Sequence, residues 1–244
     1  MKNIRFILLI TIVLIFVSYT KGQEMQEFVV YKDGHILYST NINVTDTITF
    51  CKFSVPNNST GILINGTVWA TCNVDSPGAF ASSPTETGMF YKWNRKIGWS
   101  STDPMVNSDG GTTWDASIPA GNTWEKANDP CPAGWRVPTI EELESLVISG
   151  GYLGVFNGVN GYFFGNGDQR VFLPATGLRH IGAGSMLDKG ELYGVGFYGN
   201  YWSSKPYESL GAYFLCFYPG YEIRVSTFEH SSRAFGFPLR CVAE

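Results

Sequence analysis

The residues of this chain best suited to nucleophilic or redox chemistry are five cysteines and three histidines, and their spacing argues against most of it. Cys51, Cys72, Cys131, Cys216 and Cys241 include no C-x-x-C pair and no Cys/His ligand run, so a structural zinc site is not indicated. Five is odd, so at least one thiol is left over or pairs with another chain. His35, His180 and His230 form no recognisable nucleophile–base pattern. Cys216 with His230 is the one conceivable dyad, but Cys216 sits in an apolar run that reads as a buried strand, and no third orienting group is evident. Glu141, Glu142 and Glu144 read as a solvated first helical turn that favours the helix dipole. Rings are the other chemical resource. Trp99, Trp114, Tyr193, Phe197 and Tyr198 fall in segments that read as loops, where an aromatic either packs the loop or presents a face to a sugar or a protein. These five are the candidate ligand-binding residues. No catalytic residue, cofactor or metal ligand is assigned.

Those residues sit in a chain of 244 residues with 16% charged and 15% aromatic residues and 28 glycines. Low charge with many rings excludes a disordered chain. The glycine content and the β-branched and aromatic residues disfavour an all-helical bundle. Lys2 and Arg5 precede an apolar run from Phe6 to Val17, with small or polar Ser18, Thr20 and Gly22 after it. That pattern predicts a secretory signal peptide over residues 1–22, too short in its apolar part to span a bilayer. Without Lys2, Arg5 and Lys21, 14 of the 17 basic residues face 21 acidic ones, a formal charge of −7. No basic stripe remains, which excludes nucleic acid as the expected partner. Export would put the cysteines where disulfides persist.

The elements that would position these side chains read mostly as β. Residues 23–60 are expected to form a small β extension, with a hairpin around Lys32-Asp33-Gly34, a further strand through Ile48 and Phe50, and a polar linker at 56–61. The main domain is expected over 61–244. Asn65-Gly66 predicts a second hairpin. Residues 95–130 read as a long irregular stretch that the tryptophans keep ordered. Thr139 and Glu142 make a capping box for the one clear helix, with Ile140, Leu143, Leu146 and Val147 on one face and Gly150-Gly151 as the stop. The glycine-rich segment 150–200 is either a turn-rich β scaffold or a set of binding loops. Ala212–Tyr218 and Tyr221–Thr227 read as strands around Pro219-Gly220. In the last run, Phe235, Phe237, Leu239 and Cys241 alternate with Gly236, Pro238 and Arg240, which turns Cys241 inward.

Three segments carry a resemblance. They are Asn65-Gly66-Thr67-Val68-Trp69-Ala70-Thr71-Cys72-Asn73-Val74, then Cys131-Pro132-Ala133-Gly134-Trp135-Arg136-Val137-Pro138-Thr139, then Asn200-Tyr201-Trp202-Ser203-Ser204 with Gly236-Phe237-Pro238-Leu239-Arg240-Cys241-Val242. In order and spacing, over about residues 62–243, they resemble the Fibrobacter succinogenes major paralogous domain family of exported Bacteroidetes-type proteins. The resemblance implies an α+β, C-type-lectin-like fold with few helices, twisted antiparallel sheets and long loops. It also implies a disulfide between Cys131 and Cys241, two buried thiols being the alternative. As function it implies a secreted or cell-surface module that binds a glycan or a surface protein. The chain lacks the Glu-Pro-Asn, Gln-Pro-Asp and Trp-Asn-Asp triplets of calcium-dependent lectins, and Asp168, Asp188 and Glu191 do not replace them. A structural or adhesin role in a surface assembly is a second expectation. A third, an oxidase similar to formylglycine-generating enzymes, rests on Arg233 and the Gly236–Val242 ending. That family uses two closely spaced cysteines, whereas Cys216 and Cys241 lie 25 apart, and its Arg-Gly-Gly-Ser-Trp segment is missing.

Overall fold

The computed structural model describes residues 13–16, 28–32, 35–40, 61–182, 186–218 and 224–244. The chain divides into two units, Met1–Lys52 and Phe53–Glu244. In the first, strands β1 (Val13–Phe16), β2 (Phe28–Lys32) and β3 (His35–Thr40) form one antiparallel sheet in that order. Lys32 faces His35, so the hairpin expected at Asp33-Gly34 is present, with an irregularity in register at Val30/Tyr31. β1 falls inside the segment read as a leader. The strand expected through Ile48 and Phe50 and the turn at Pro219-Gly220 lie outside the described residues.

The second unit is a mainly-β α+β fold. It opens with the hairpin β4 (Gly61–Ile64) and β5 (Thr67–Ala70). Asn65 and Gly66 have φ of 49° and 84°, the left-handed pair that a two-residue hairpin turn requires. Short β6 (Phe90–Tyr91), β7 (Gly98–Trp99) and β8 (Trp135–Arg136) follow, separated by long loops and a single 3-10 turn over Lys126–Asn128. Helix α1 spans Ile140–Ile148. An antiparallel meander comes next: β9 (Gly151–Phe156), β10 (Val159–Asn166) and β11 (Gln169–Pro174). The pair β12 (Leu178–Arg179) and β13 (Leu192–Tyr193) precedes a second meander of β14 (Gly199–Tyr207), β15 (Gly211–Tyr218) and β16 (Arg224–Ser232). The final strand, β17 (Val242–Ala243), lies between β5 and β8, with Val242 opposite Trp69 on one side and Arg136 on the other. The two ends of this unit are therefore stitched into one four-stranded sheet.

Among the described residues α1 is the one α-helix, and its cap is the one its sequence specifies. The Glu142 N–H donates to Thr139 Oγ1 at 3.2 Å and the Thr139 N–H donates to Glu142 Oε2 at 2.8 Å. Arg136 adds a two-pronged contact, its Nη1 and Nη2 donating to the Glu142 carboxylate at 2.9 and 2.6 Å. Ile140, Leu143 and Leu146 are buried against Trp69, Tyr162, Phe164, Tyr201 and Phe217. Each such aliphatic burial is worth roughly 1.5–3 kcal/mol. A second cluster holds Tyr91, Trp93, Trp202, Phe214, Phe237 and Cys241.

Cys131 and Cys241 form a disulfide, with their Cα atoms 6.1 Å apart. It joins the loop before α1 to the residue leading into β17. Cys241 faces inward, as the alternation implied. The other face of the same run is buried too, since Arg240 is only 1% exposed.

Two outcomes follow. The disulfide closes a sequence separation of 110 residues, so Cys131→Ala with Cys241→Ala should lower the unfolding free energy by about 4–5 kcal/mol in the chain-entropy picture. Denaturant titration of the variant and parent checks this. Burial pushes the Glu142 carboxyl up, but Arg136 and the Thr139 N–H outweigh it and hold it below the usual range. Its folded value thus lies below its unfolded value, so its stabilisation is present above about pH 4.3 and is lost as pH falls through the folded value. Between about pH 5 and 3, the melting temperature of Glu142→Gln should fall less steeply than that of the parent.

Candidate functional site

Of the five candidate rings, three come together. Tyr193 ends β13, pairing with Leu178 of β12. The chain then turns through Gly194 and Gly196 and delivers Phe197 and Tyr198 just before β14 begins. The turn is closed by the N–H groups of Phe197 and Tyr198, both donating to the Gly194 carbonyl at 3.0 and 2.9 Å. Gly194 has φ +69°, and a Cβ there would lie 2.2 Å from Cδ2 of Tyr198. Only glycine lets the Tyr198 ring lie against this backbone. The Gly196 N–H donates to the Ala175 carbonyl and the Gly177 N–H to the Tyr198 carbonyl, both at 2.7 Å, which ties the turn to the end of β11. Asn160 Nδ2 donates to the Gly196 carbonyl at 3.1 Å.

The rings form one cluster. Tyr193 stacks on Tyr198 with centroids 5.9 Å apart, Phe197 meets Tyr198 edge-on at 4.8 Å, and Tyr198 meets Tyr218 edge-on at 5.6 Å. Tyr193 and Phe197 are 43% and 44% exposed, with Val195 beside them at 61%. The Tyr198 hydroxyl is pushed above the ordinary phenol range by desolvation first and by the neighbouring Tyr193 next, so it acts as a neutral donor and acceptor. Phe197 also lines a cavity of about 270 Å³ with Leu153, Gly154, Val155, Asn160, Gly161, Ala175 and Gly196. The result is an apolar shelf of ring faces, edged by phenol hydroxyls and a side-chain amide.

Trp99 and Trp114 lie elsewhere. Each is 4% exposed, and the two rings pack 5.0 Å apart against Phe90 in a small core of their own. Their loop is long, but it folds its rings inward, because two indoles bury more apolar area than the polar loop otherwise could. As placed, neither ring presents a face to a ligand.

Cys216 and His230 are not brought together. On β15, Tyr213 faces His230 and Cys216 faces Ser226, so three residues, roughly 10 Å along the strand, separate the two positions. Cys216 is buried, whereas His230 is exposed and stacks on Tyr207 with centroids 3.6 Å apart. Among the described residues, no group of three or more His, Cys, Asp or Glu is arranged to hold a metal ion.

A second cavity, of about 390 Å³, lies beside the disulfide-bearing loop and includes Trp124, Lys126, Asp129, Arg136, Ser204 and Glu244. Its charges are already engaged. Lys126 pairs with Glu244, Arg136 with Glu142, and the Asp129 carboxylate accepts the N–H groups of Cys131 at 2.9 Å and Val137 at 3.2 Å. Burial pushes the Asp129 carboxyl up against those two hydrogen bonds. This carboxylate fastens both ends of the 131–137 loop. Its role is not marked by spacing, since the partners are backbone groups.

Arg179, at the end of β12, was not singled out by its sequence context, yet it anchors the hairpin that carries Tyr193. It is fully buried and its Nη1 donates to the Gly190 carbonyl at 2.8 Å and to Asp103 Oδ1 at 2.7 Å. An arginine in a chain of few charges, between Leu178 and His180 in a glycine-punctuated run, is the signal that could mark it.

No family model, curated protein or solved structure matches the chain. No helix among the described residues is long and apolar enough to cross a membrane. The site is therefore read from its own geometry.

Gly194→Ala would combine a left-handed backbone with a collision against Tyr198. It should cost about 1–3 kcal/mol and alter the near-ultraviolet tyrosine signal. Thermal denaturation with near-ultraviolet circular dichroism checks both.

Proposed function

We propose that this chain is an exported, C-type-lectin-like binding module of the major paralogous kind, and that it binds glycan on the Tyr193–Phe197–Tyr198 shelf without calcium. The single observation that carries this reading is the exposed ring cluster on a glycine-built turn beside a cavity. Ring faces stack on the apolar faces of sugars, and flanking hydroxyl and amide groups are suited to a sugar's hydroxyls. A loop fixed to a rigid scaffold is the usual place for such residues. Three features of the fold are in keeping with the resemblance: a mainly antiparallel scaffold, one capped helix, and a disulfide from the loop before that helix to the final strand. The disulfide also suits an oxidising compartment. The missing lectin triplets point to recognition by rings rather than by a bridging ion.

Phe197→Ala and Tyr193→Ala should each weaken binding about tenfold, or about 1.4 kcal/mol, with melting temperatures close to that of the parent because both rings are substantially exposed. A glycan array, read with and without chelator, followed by titration of the best ligand, measures this. Full binding by the double variant, or binding abolished by chelator, would overturn the proposal.

A further inference from the structure

The cavity beside the ring shelf has a volume of about 270 Å³, and Phe197 belongs to both. Leu153, Val155, Ala175 and Phe197 supply its apolar side chains. Gly154 and Gly161, which face each other across β9 and β10, and Gly196 add none. Val155 is 50% exposed, so the apolar wall is open to a ligand from solvent. Asn160 is the one lining residue with a polar side chain.

Polar groups around the cavity close on one another. Asn160 Nδ2 donates to the Gly196 carbonyl at 3.1 Å, the Gly196 N–H donates to the Ala175 carbonyl at 2.7 Å, and the Ala175 N–H donates to the Asn160 carbonyl at 2.8 Å. This cycle joins the three residues and fixes the Asn160 amide through its nitrogen. The Asn160 Oδ1 has no hydrogen bond among the described residues, and an amide oxygen is an acceptor only. The cavity thus offers apolar walls and one fixed acceptor.

That combination selects among sugars. A pyranose edge that carries only hydroxyls would lose their hydration against Leu153, Val155 and Ala175 with a single acceptor in return, and a polar group buried without a partner is costly. An acetamido group divides differently: a methyl, one N–H donor, and a carbonyl that can stay in water. Its size is also suitable, since an apolar cavity of roughly 150 Å³ is enough for benzene. We propose that this cavity receives the acetamido group of an N-acetylhexosamine whose ring lies on the Phe197 side of the shelf, an assignment that rests on the glycan function proposed for that shelf. The methyl packs against Leu153, Val155 and Ala175, and the N–H donates to Asn160 Oδ1. Asn160 is the residue that sets specificity, and the rings supply affinity for either kind of sugar.

Triacetylchitotriose and cellotriose share one backbone and linkage and differ in carrying acetamido or hydroxyl groups. In calorimetric titrations of the whole chain, triacetylchitotriose should bind at least about tenfold more tightly. Asn160→Ala and Val155→Asp should each bring that ratio close to one. Both positions are exposed, and melting temperatures check that the variants fold. The ratio separates specificity from structure, because a variant that only loosens the turn weakens both sugars alike. Equal affinity of the parent for the two sugars would overturn the acetamido assignment and leave the shelf as a glycan site. A tenfold ratio retained by both variants would overturn it too, as would binding of neither trisaccharide by a chain that binds glycans without acetamido groups. Absence of binding to any glycan would overturn the shelf reading and this assignment together.

Discussion

The fold of the second unit depends on buried guanidinium groups that bind backbone carbonyls. Arg179, Arg233 and Arg240 are among its largest fully buried side chains. Arg179 donates to the carbonyls of Ser100, Thr102 and Gly190. Arg233 donates to those of Gly211, Gly121 and Glu208 and lies 4.3 Å from the centre of the Trp93 ring. Arg240 does the same for Ala70 and Thr71. Irregular chain that runs through a protein interior leaves carbonyls with no ladder partner, and each would be costly unpaired. One guanidinium offers five N–H donors in a planar fork, enough to satisfy several such groups at once. At Arg179 and Arg233 all three guanidinium nitrogens donate, which offsets the desolvation of the cation.

This arrangement explains how a unit with so little regular structure between β5 and α1 keeps a defined core. Loop 100–103 is fixed through Arg179, loop 119–121 through Arg233, and segment 70–73 through Arg240. Three of the seven tryptophans work in the same way at their polar ends. Trp93 Nε1 donates to the Ser203 carbonyl at 3.0 Å, Trp202 Nε1 to that of Tyr91 at 2.8 Å, and Trp124 Nε1 to that of Asn128 at 3.1 Å. Each ring fills the core while its nitrogen satisfies a strand or loop carbonyl. Few charges and many rings are thus the composition that such a scaffold requires: apolar volume inside, and a small number of fixed donors for long loops.

What the sequence made legible was local. The capping box at Thr139 and Glu142, the Asn65-Gly66 turn, the strand at Ala212–Tyr218 and the inward Cys241 are all written within a few neighbouring residues, and the structure contains each of them. The Cys131–Cys241 link was implied by resemblance alone, because spacing cannot select one pairing among five cysteines. The arginine contacts were not legible. They join residues such as 179 with 100 and 240 with 71, and their acceptors are carbonyls, which every residue carries. Period-two alternation gave Arg240 no inward role, since it assumes one wet face. Here β17 runs between two strands, and both faces of the run before it are covered. Trp99 and Trp114 show the same limit from the other side, because a loop assignment does not say which way a ring points.

The candidate site inherits its rigidity from these contacts. The β12–β13 pair is only two residues long on each strand, too short to fix a ring platform by ladder hydrogen bonds alone. Arg179 supplies what the ladder lacks. It ties the base of the pair at Gly190 to the 100–103 loop, while its own backbone exchanges hydrogen bonds with Gly236 at 2.9 Å in each direction. Beyond that base, the glycine turn needs few further restraints, since Ala175 and Tyr198 close it against the end of β11. The exposed rings therefore sit on a turn whose position is set by a buried charge, and under the proposed function order would not have to come from the ligand. A platform organised in advance loses less conformational entropy on binding. That is the physical advantage of placing exposed aromatics on this turn rather than on the longer 95–125 loop, whose own tryptophans are already committed to holding it together.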